Sequence, residues 1–151
     1  MELVIGAGIL VGIVAIFVVL PILVIKAMKS SLERRISKRY SPEQIIFRDL
    51  KALTFGLQSR GGRQGRGNGA LVLTADELCW LRFVPERSDL RIRREDIVRV
   101  DTVKTHLGKT YGRDLLRVTF THNGAPDSMA WYVPDLGAWL SELGKPAQTA
   151  R

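Results

Sequence analysis

Hydrophobic positions along the chain follow two different spacings, and the first is an unbroken run. Residues 3–25 form a stretch of 23 residues without a charge, which ends at Lys26. As a helix rising about 1.5 Å per residue, this run would be roughly 34 Å long, enough to cross a hydrocarbon core of about 30 Å. A helix also satisfies its own backbone hydrogen bonds inside lipid. The pattern therefore predicts an N-terminal transmembrane helix over residues 3–25.

The residues that flank this run predict whether it is cleaved or retained, and how it is oriented in the membrane. A cleaved signal peptide begins with basic residues and ends with small ones, whereas here Glu2 precedes the run and Ile25 closes it. Basic residues beside a span stay on the cytoplasmic side. We therefore expect a retained single-pass anchor in the cell membrane, with the N-terminus outside and the C-terminal domain in the cytoplasm. The basic residues that set this orientation are Lys26, Lys29, Arg34, Arg35, Lys38 and Arg39.

Two features inside the run concern helix geometry and helix contacts. Gly8 and Gly12 are four positions apart, a spacing that lets two membrane helices approach closely and would support a weak homodimer. Pro21 lacks a backbone donor and lies about one turn before the end of the run, which predicts a bend there.

Residues 26–41 are predicted to continue the helix as a basic juxtamembrane segment. Apolar side chains recur every four positions, at Met28, Leu32, Ile36 and Tyr40. Two basic residues fall inside the same stripe, as in a helix that lies on the bilayer surface with snorkelling bases. The stripe equally fits a stalk that stands in solvent, and the sequence leaves both alternatives open.

Beyond this segment the pattern predicts one domain over residues 42–143 and a disordered tail over residues 144–151. Ser41, Pro42 and Gln44 form a capped helical start, so a short helix is expected over residues 42–50. The hydrophobic period then changes from about 3.6 residues to about 2, the period of half-buried strands. Asp135 opens a final helix with one apolar face, which ends at Gly144. The predicted strands cover residues 53–58, 70–74, 78–84, 89–93, 97–103, 115–121 and 129–133.

These elements predict a mainly β fold class, in which a seven-stranded bent sheet or small barrel is closed at one end by the C-terminal helix. The net charge is distributed unevenly along the chain and is concentrated next to the predicted membrane span. The formal net charge is +8, and residues 26–68 carry +8 whereas residues 69–151 carry only +1. Anionic cytoplasmic lipid attracts such a segment by about 1 kcal/mol per Lys or Arg. Anionic membrane lipid is therefore the expected partner, and nucleic acid is not.

Signatures of catalysis are missing from the sequence. The Gly-Lys-Thr tripeptide at 108–110 lacks the earlier glycine of a phosphate-binding loop and is predicted to be a hairpin turn. His106 and His122 have no His or Cys at a ligand spacing and are expected at the surface. Cys79 is expected to be a buried inert thiol, and the three tryptophans are expected in the core. We therefore expect a non-enzymatic protein without a cofactor or a metal site.

The candidate site is the stretch at residues 59–69. It holds five glycines, and arginines recur every three positions at Arg60, Arg63 and Arg66. Such a stretch is either a flexible connection or an anion site, in which glycines expose backbone N–H groups and arginines supply paired contacts to phosphate.

Several segments resemble the GRAM and pleckstrin-homology-like superfamily. They read PEQII at 42–46, GALVLT at 69–74, ELCWL at 77–81 and DI at 96–97, followed by Val100. The likeness covers about residues 42–143. Within the superfamily, the chain is similar to small membrane-anchored members from bacteria. It implies a binding platform for lipid head groups or proteins, with basic residues in the loop between the first two strands. In this chain that loop holds Arg60, Arg63 and Arg66, but residues 70–74 lack the second-strand basic residue that lipid binders of the family usually carry.

The function expected from the sequence is therefore a single-pass membrane-anchored binding module. Its partners would be anionic lipid head groups, a membrane protein, or both. The alternative is a structural or adaptor subunit of a membrane protein complex that does not recognise lipid.

Overall fold

The computed structural model describes Gly12, residues 15–83 and residues 89–145. These residues form a π-helical turn (Ala15–Val19), two α-helices and seven strands. In chain order they are α1 (Leu20–Arg39), β1 (Ile45–Leu57), β2 (Gly67–Thr74), β3 (Glu77–Arg82), β4 (Leu90–Arg93), β5 (Ile97–His106), β6 (Lys109–His122), β7 (Ala125–Tyr132) and α2 (Leu136–Gly144).

All seven strands belong to one antiparallel sheet, in the order β4-β3-β2-β1-β7-β6-β5. The mainly β class and the seven predicted strands are confirmed. The helix predicted over residues 42–50 is wrong, because only one 3₁₀ turn forms there (Pro42–Gln44). The predicted capping box is present, but β1 begins directly after it and Ile45 pairs with Thr74 of β2. β-branched and aromatic side chains at this point favour the strand.

The sheet folds back on itself around its core. Strands β2 and β1 lie between β3 and β7, so a flat sheet would hold Trp80 and Trp131 about 14 Å apart at roughly 4.8 Å per strand. Their ring centroids are only 6.2 Å apart. Irregular register in β1, between Asp49 and Ala52 and again between Thr54 and Leu57, marks where the sheet bends. The three tryptophans are buried as predicted.

Helix α2 packs against this core at the C-terminal end, as predicted. The Asp135 carboxylate caps it by accepting a hydrogen bond from the backbone N–H of Ala138 at 2.9 Å. Trp139 is fully buried, Leu143 is nearly so, and the Trp139 ring meets Phe47 edge to face at 4.9 Å. Burial of these apolar side chains therefore attaches α2 to the sheet.

The second half of α1 covers the outer face of β2 and β3. Leu32, Ile36 and Tyr40 are buried there. The apolar stripe predicted from the sequence thus faces the sheet. Neither of the two alternatives left open by the sequence, a helix on the bilayer surface or a stalk in solvent, placed the stripe against the domain. The sheet residues beneath the helix are Ala70, Val72, Cys79 and Leu81.

The predicted transmembrane segment is described only in part. Residues 3–11, 13 and 14 lie outside the described residues, and with them Gly8 of the predicted helix contact; the predicted tail beyond Lys145 lies outside as well. Gly12 is helical and exposed, and Pro21 lies in the first turn of α1 just after the π-helical turn. Within the described residues, no helix combines the length and the apolarity that a membrane crossing requires.

Candidate functional site

The glycine-rich loop between β1 and β2 is held in a defined conformation by one side chain. Gln64 donates from Nε2 to the carbonyl oxygens of Leu57 (2.6 Å) and Gly61 (2.7 Å), and its Oε1 accepts from the backbone N–H of Leu57 at 3.0 Å. Gly56, with φ of 105°, makes room for this amide, because a Cβ there would lie 3.1 Å from it. These contacts argue against a merely flexible connection.

A second set of contacts ties the loop to the hairpin between β5 and β6. The Lys109 ammonium donates to the carbonyl oxygen of Gln64 and, at 3.4 Å, to that of Phe55. Arg66 donates from Nη2 to the carbonyl oxygen of Thr110 at 3.0 Å, and its guanidinium lies 5.2 Å from the centroid of the Phe55 ring. The tripeptide at 108–110 therefore belongs to the β5–β6 hairpin connection, as predicted: Gly108 lies in the turn, and Lys109 and Thr110 begin β6. The lysine supports the β1–β2 loop.

The three predicted arginines are exposed, but they have different surroundings. Arg66 makes the contacts just described. Arg60 lines a cavity of about 190 Å³ together with Gln64 and Arg82. Arg63 lies on the surface, and neither it nor Arg60 has an acidic partner in the part of the chain that the structure describes. The cavity is smaller than the roughly 300 to 1,000 Å³ of drug-sized pockets. Its size suits a small group better than a large ligand, and the Asp89 carboxylate lines it beside the two guanidinium groups.

Arg82 is a residue of this site that sequence reasoning missed. It ends β3, its Nη2 donates to the carbonyl oxygen of Arg66 at 3.2 Å, and its backbone N–H donates to Asp89 at 3.3 Å. Gly67 leaves space for the guanidinium, since a Cβ there would lie 2.4 Å from Nε of Arg82. The strand predicted over residues 78–84 includes Arg82, but no local signal shows that this strand ends beneath the β1–β2 loop.

Polar contacts fix α1 at the same edge of the sheet. Arg35 donates from Nη1 to the carbonyl oxygen of Arg82 and from Nη2 to both carboxylate oxygens of Asp89, all at 2.7 Å. Arg39 adds a longer ion pair to Asp89 at 3.6 Å. The Arg35 and Asp89 side chains are only 17% and 15% exposed, so removing one partner would leave a poorly hydrated charge. Two of the basic juxtamembrane residues are therefore engaged inside the protein.

A second polar cluster holds the C-terminal end of α1. The Tyr40 hydroxyl donates to the Glu77 carboxylate, which also accepts a hydrogen bond from Nε of Arg91 at 2.8 Å. Burial raises the pKa of Tyr40 above its ordinary value, so the phenol stays a donor. Burial likewise raises the pKa of Cys79, which lies 3.4 Å from Arg39 beneath the helix. The predicted burial of Cys79 is confirmed, and its raised pKa disfavours the reactive thiolate.

His106 is buried, and its predicted surface position is wrong, whereas His122 is exposed as predicted. The Nε2 atom of His106 lies 3.0 Å from the carbonyl oxygen of Gly56 and donates to it. The hairpin that carries His106 folds over the outer face of the sheet, where the Tyr111 ring contacts the Tyr132 ring in a tilted arrangement, with 4.5 Å between ring centroids. Burial lowers the pKa of His106 below 6.5.

This burial predicts a loss of stability in mild acid. The unfolded chain binds the His106 proton more readily than the folded one, so the free energy of unfolding should fall as the pH drops below about 6.5. Urea unfolding between about pH 7.5 and about pH 5 measures this dependence. His106→Gln, whose amide can still donate to Gly56, should reduce the acid sensitivity, and the exposed-site control His122→Gln should retain it. An unchanged dependence in His106→Gln would contradict the assignment.

The donors that this site leaves available are guanidinium groups, because both N–H groups of the Gln64 amide are engaged by the carbonyl oxygens of Leu57 and Gly61. Guanidinium groups form paired hydrogen bonds with phosphate or carboxylate oxygens. Within the described ranges, no group of three or more His, Cys, Asp or Glu side chains is placed to hold a metal ion.

Comparisons with known proteins do not assign a family to the chain. No protein-family model matches it, and no curated protein matches its sequence. Among solved structures it is similar to the crystal structure of the C-terminal domain of an unknown protein from Leishmania infantum, at 14% identity and a TM-score of 0.47. The match covers 80% of this chain and 99% of that one. A likeness this distant carries no argument about either protein.

Proposed function

We propose that this protein is a membrane-attached, non-enzymatic binding module with a pleckstrin-homology-like fold, which contacts anionic lipid head groups at the cytoplasmic face. The observation that carries the proposal is the apolar helical surface before Lys26. Large apolar side chains there are 47% to 74% exposed on every side of the helix, which is typical of a membrane span. In the sequence, the uncharged run of which these residues are part begins at residue 3. The exposed side chains are Ile16, Phe17, Val18, Val19, Leu20, Ile22, Leu23, Val24 and Ile25.

The domain beyond the helix supports the same proposal. Seven antiparallel strands followed by a helix on the core agree with the architecture that the resemblance implies. The β1–β2 loop carries Arg60, Arg63 and Arg66, where the family places its basic residues. Arg82 at the end of β3 adds a basic group to the same cavity as Arg60, although β2 itself has none.

The loop arginines give the proposal its test. Replacing Arg60, Arg63 and Arg66 by Ala in a fragment that starts at residue 26 should weaken binding to anionic vesicles ten-fold or more at low salt, since each contributes about 1 kcal/mol. The difference should shrink as salt rises, because the Debye length falls to about 8 Å at physiological ionic strength. Vesicle co-sedimentation across a salt series measures both effects.

A matched variant separates loop position from net charge. Arg93, Arg99 and Arg113 are exposed and lie outside the β1–β2 loop, so replacing these three by Ala changes the net charge equally. This control should bind vesicles almost as the parent does. Equal binding by the loop variant and the parent at low salt would favour the alternative, an adaptor subunit of a membrane protein complex that does not recognise lipid.

A further inference from the structure

Helix α1 runs antiparallel to β3 across the outer face of the sheet. Tyr40, just after the helix, contacts Glu77 at the start of β3. Arg35, more than one turn earlier, bonds the carbonyl oxygen of Arg82 at the end of β3. Phe83 follows and lines the same surface depression as Val24, Met28 and Leu32 of α1. The helix therefore leaves the sheet at the edge where β3 ends, and its apolar half projects beyond that edge.

The β1–β2 loop lies at this same edge. The backbone N–H of Phe83 donates to the carbonyl oxygen of Asn68 at 3.1 Å, and Arg82 donates to that of Arg66. The backbone N–H of Ser59 donates to Asp127 near the start of β7 at 3.0 Å. We call the described residues 58–66, Arg82, Phe83 and Asp89 the loop edge.

The charge that the loop edge presents is positive. Its acidic residue, Asp89, is engaged by Arg35, and the adjacent Asp127 is buried and accepts backbone N–H groups. Arg60, Arg63 and Arg66 are exposed. A surface of this kind is attracted to anionic head groups.

We infer that α1 is an orienting strut, which holds the loop edge of the domain against the anionic leaflet of the membrane that its own N-terminal part enters. This inference rests on the proposed membrane attachment. From Ile25 to the first fully buried helix residue, Leu32, the helix rises only about 10 Å. The distance between the loop edge and the head groups is therefore similar to the Debye length at physiological ionic strength, which is about 8 Å.

The contacts of α1 determine which edge faces the leaflet. Leu32 and Ile36 are buried against β2 and β3, and the two-oxygen contact of Arg35 with Asp89 fixes rotation about the helix axis. The turn between β2 and β3, which carries the exposed Asp76, lies at the far end of β3. At about 3.4 Å per residue, the length of β3 separates that turn from the loop edge by roughly 17 Å.

The test places one fluorophore at either end of β3 in the full chain. Arg63→Cys and Asp76→Cys are made in a Cys79→Ser background, labelled, and reconstituted into phosphatidylcholine vesicles with a head-group spin-labelled lipid as quencher. The lipid is zwitterionic, so that attraction of arginines to net lipid charge does not set the orientation. Because of their roughly 17 Å separation, the probe at position 63 should be quenched about threefold more than the probe at position 76.

A flexible insertion tests whether the helix is the cause. A Gly-Ser segment of about six residues after Lys29 leaves the docked half and the apolar half intact but uncouples them. The quenching contrast should then fall to less than half. If the Cys79→Ser background does not fold, both probes can be placed in the parent chain, where Cys79 is fully buried, with one label per chain verified.

The outcomes separate the inference from the proposed function. Equal or reversed quenching in a chain that floats with the vesicles overturns the orientation and leaves membrane attachment standing. An unchanged contrast after the insertion overturns the role of α1. A chain that does not associate with vesicles overturns both proposals.

Discussion

Removing residues 1–40 should cost the domain much of its stability, whereas removing residues 1–25 should leave it folded. Of the side chains that the structure describes, the shorter truncation deletes only exposed ones, but the longer one deletes Leu32 and Ile36, which are at most 1% exposed. Burying each of these side chains contributes about 1.5–3 kcal/mol. Domains are stable by only about 5–15 kcal/mol in total. The truncated sheet would also expose the apolar outer face of β2 and β3.

Two fragments measure this effect. By urea unfolding, the fragment 41–145 should be less stable than the fragment 26–145 by about 3–6 kcal/mol, from the two buried side chains alone. The Cys79 thiol should react with a thiol reagent without denaturant only in the shorter fragment, because α1 covers it.

Variants within the longer fragment supply the control for this prediction. Leu32→Ala with Ile36→Ala should reproduce much of the loss, while Arg34→Ala with Lys38→Ala, on the exposed face of the same helix, should not. Equal stability of the two fragments, with Cys79 still protected, would show that α1 does not support the sheet.

The cover on the outer sheet face could have been predicted from the sequence with a closer reading of β2 and β3. A strand with one solvated face alternates apolar and polar residues, but residues 70–73 and 78–81 are apolar without alternation. Such runs predict burial on both faces and hence a covering element. The four-residue stripe on α1 was a visible candidate for that element. The position of α1 on the sheet was not predictable, because the faces of β2 and β3 that it covers lie some 40 residues away in the chain.

The first half of β1 shows a local signal overridden by a distant one. Ser41, Pro42 and Gln44 do form the capping box that the sequence predicts, but the box holds a single turn. Ile45 and Phe47 then pair with β2, and Phe47 also packs on Trp139 of α2. These contacts span long sequence separations, so propensity alone could not show that they would prevail over helix continuation.

The candidate site also has one part that the sequence predicts locally and another that depends on distant contacts. The spacing of Arg60, Arg63 and Arg66 identifies a basic loop without reference to any other element. The side chains that shape the loop, Gln64 and Lys109, bond to backbone carbonyls, whose positions follow only from the folded path of the chain. His106 was misplaced for the same reason, because its burial depends on a hairpin that folds over the sheet.

Trp139→Ala should destabilise the protein by about 3–5 kcal/mol, as truncation of a buried aromatic side chain does. The side chain is fully buried between α2 and the sheet, and it meets Phe47 edge to face at 4.9 Å. Ala would leave a cavity between α2 and the sheet, because Trp139 is the one aromatic residue that α2 contributes to the core of the described part of the chain. The free energy of unfolding in urea measures the loss, and tryptophan fluorescence reports whether the remaining core indoles, Trp80 and Trp131, become exposed to water.

Trp139→Phe is the matched control, because it keeps an aromatic ring and removes the indole N–H. That N–H has no hydrogen-bond partner among the described residues, so Phe loses no hydrogen bond and removes a buried donor that is costly to leave unpaired. The ring is smaller, but the change is close to a conservative core substitution and should cost less than about 1.5 kcal/mol. A Phe variant as unstable as the Ala variant would show that an aromatic ring at position 139 is not sufficient to hold α2 on the sheet, and it would contradict this prediction.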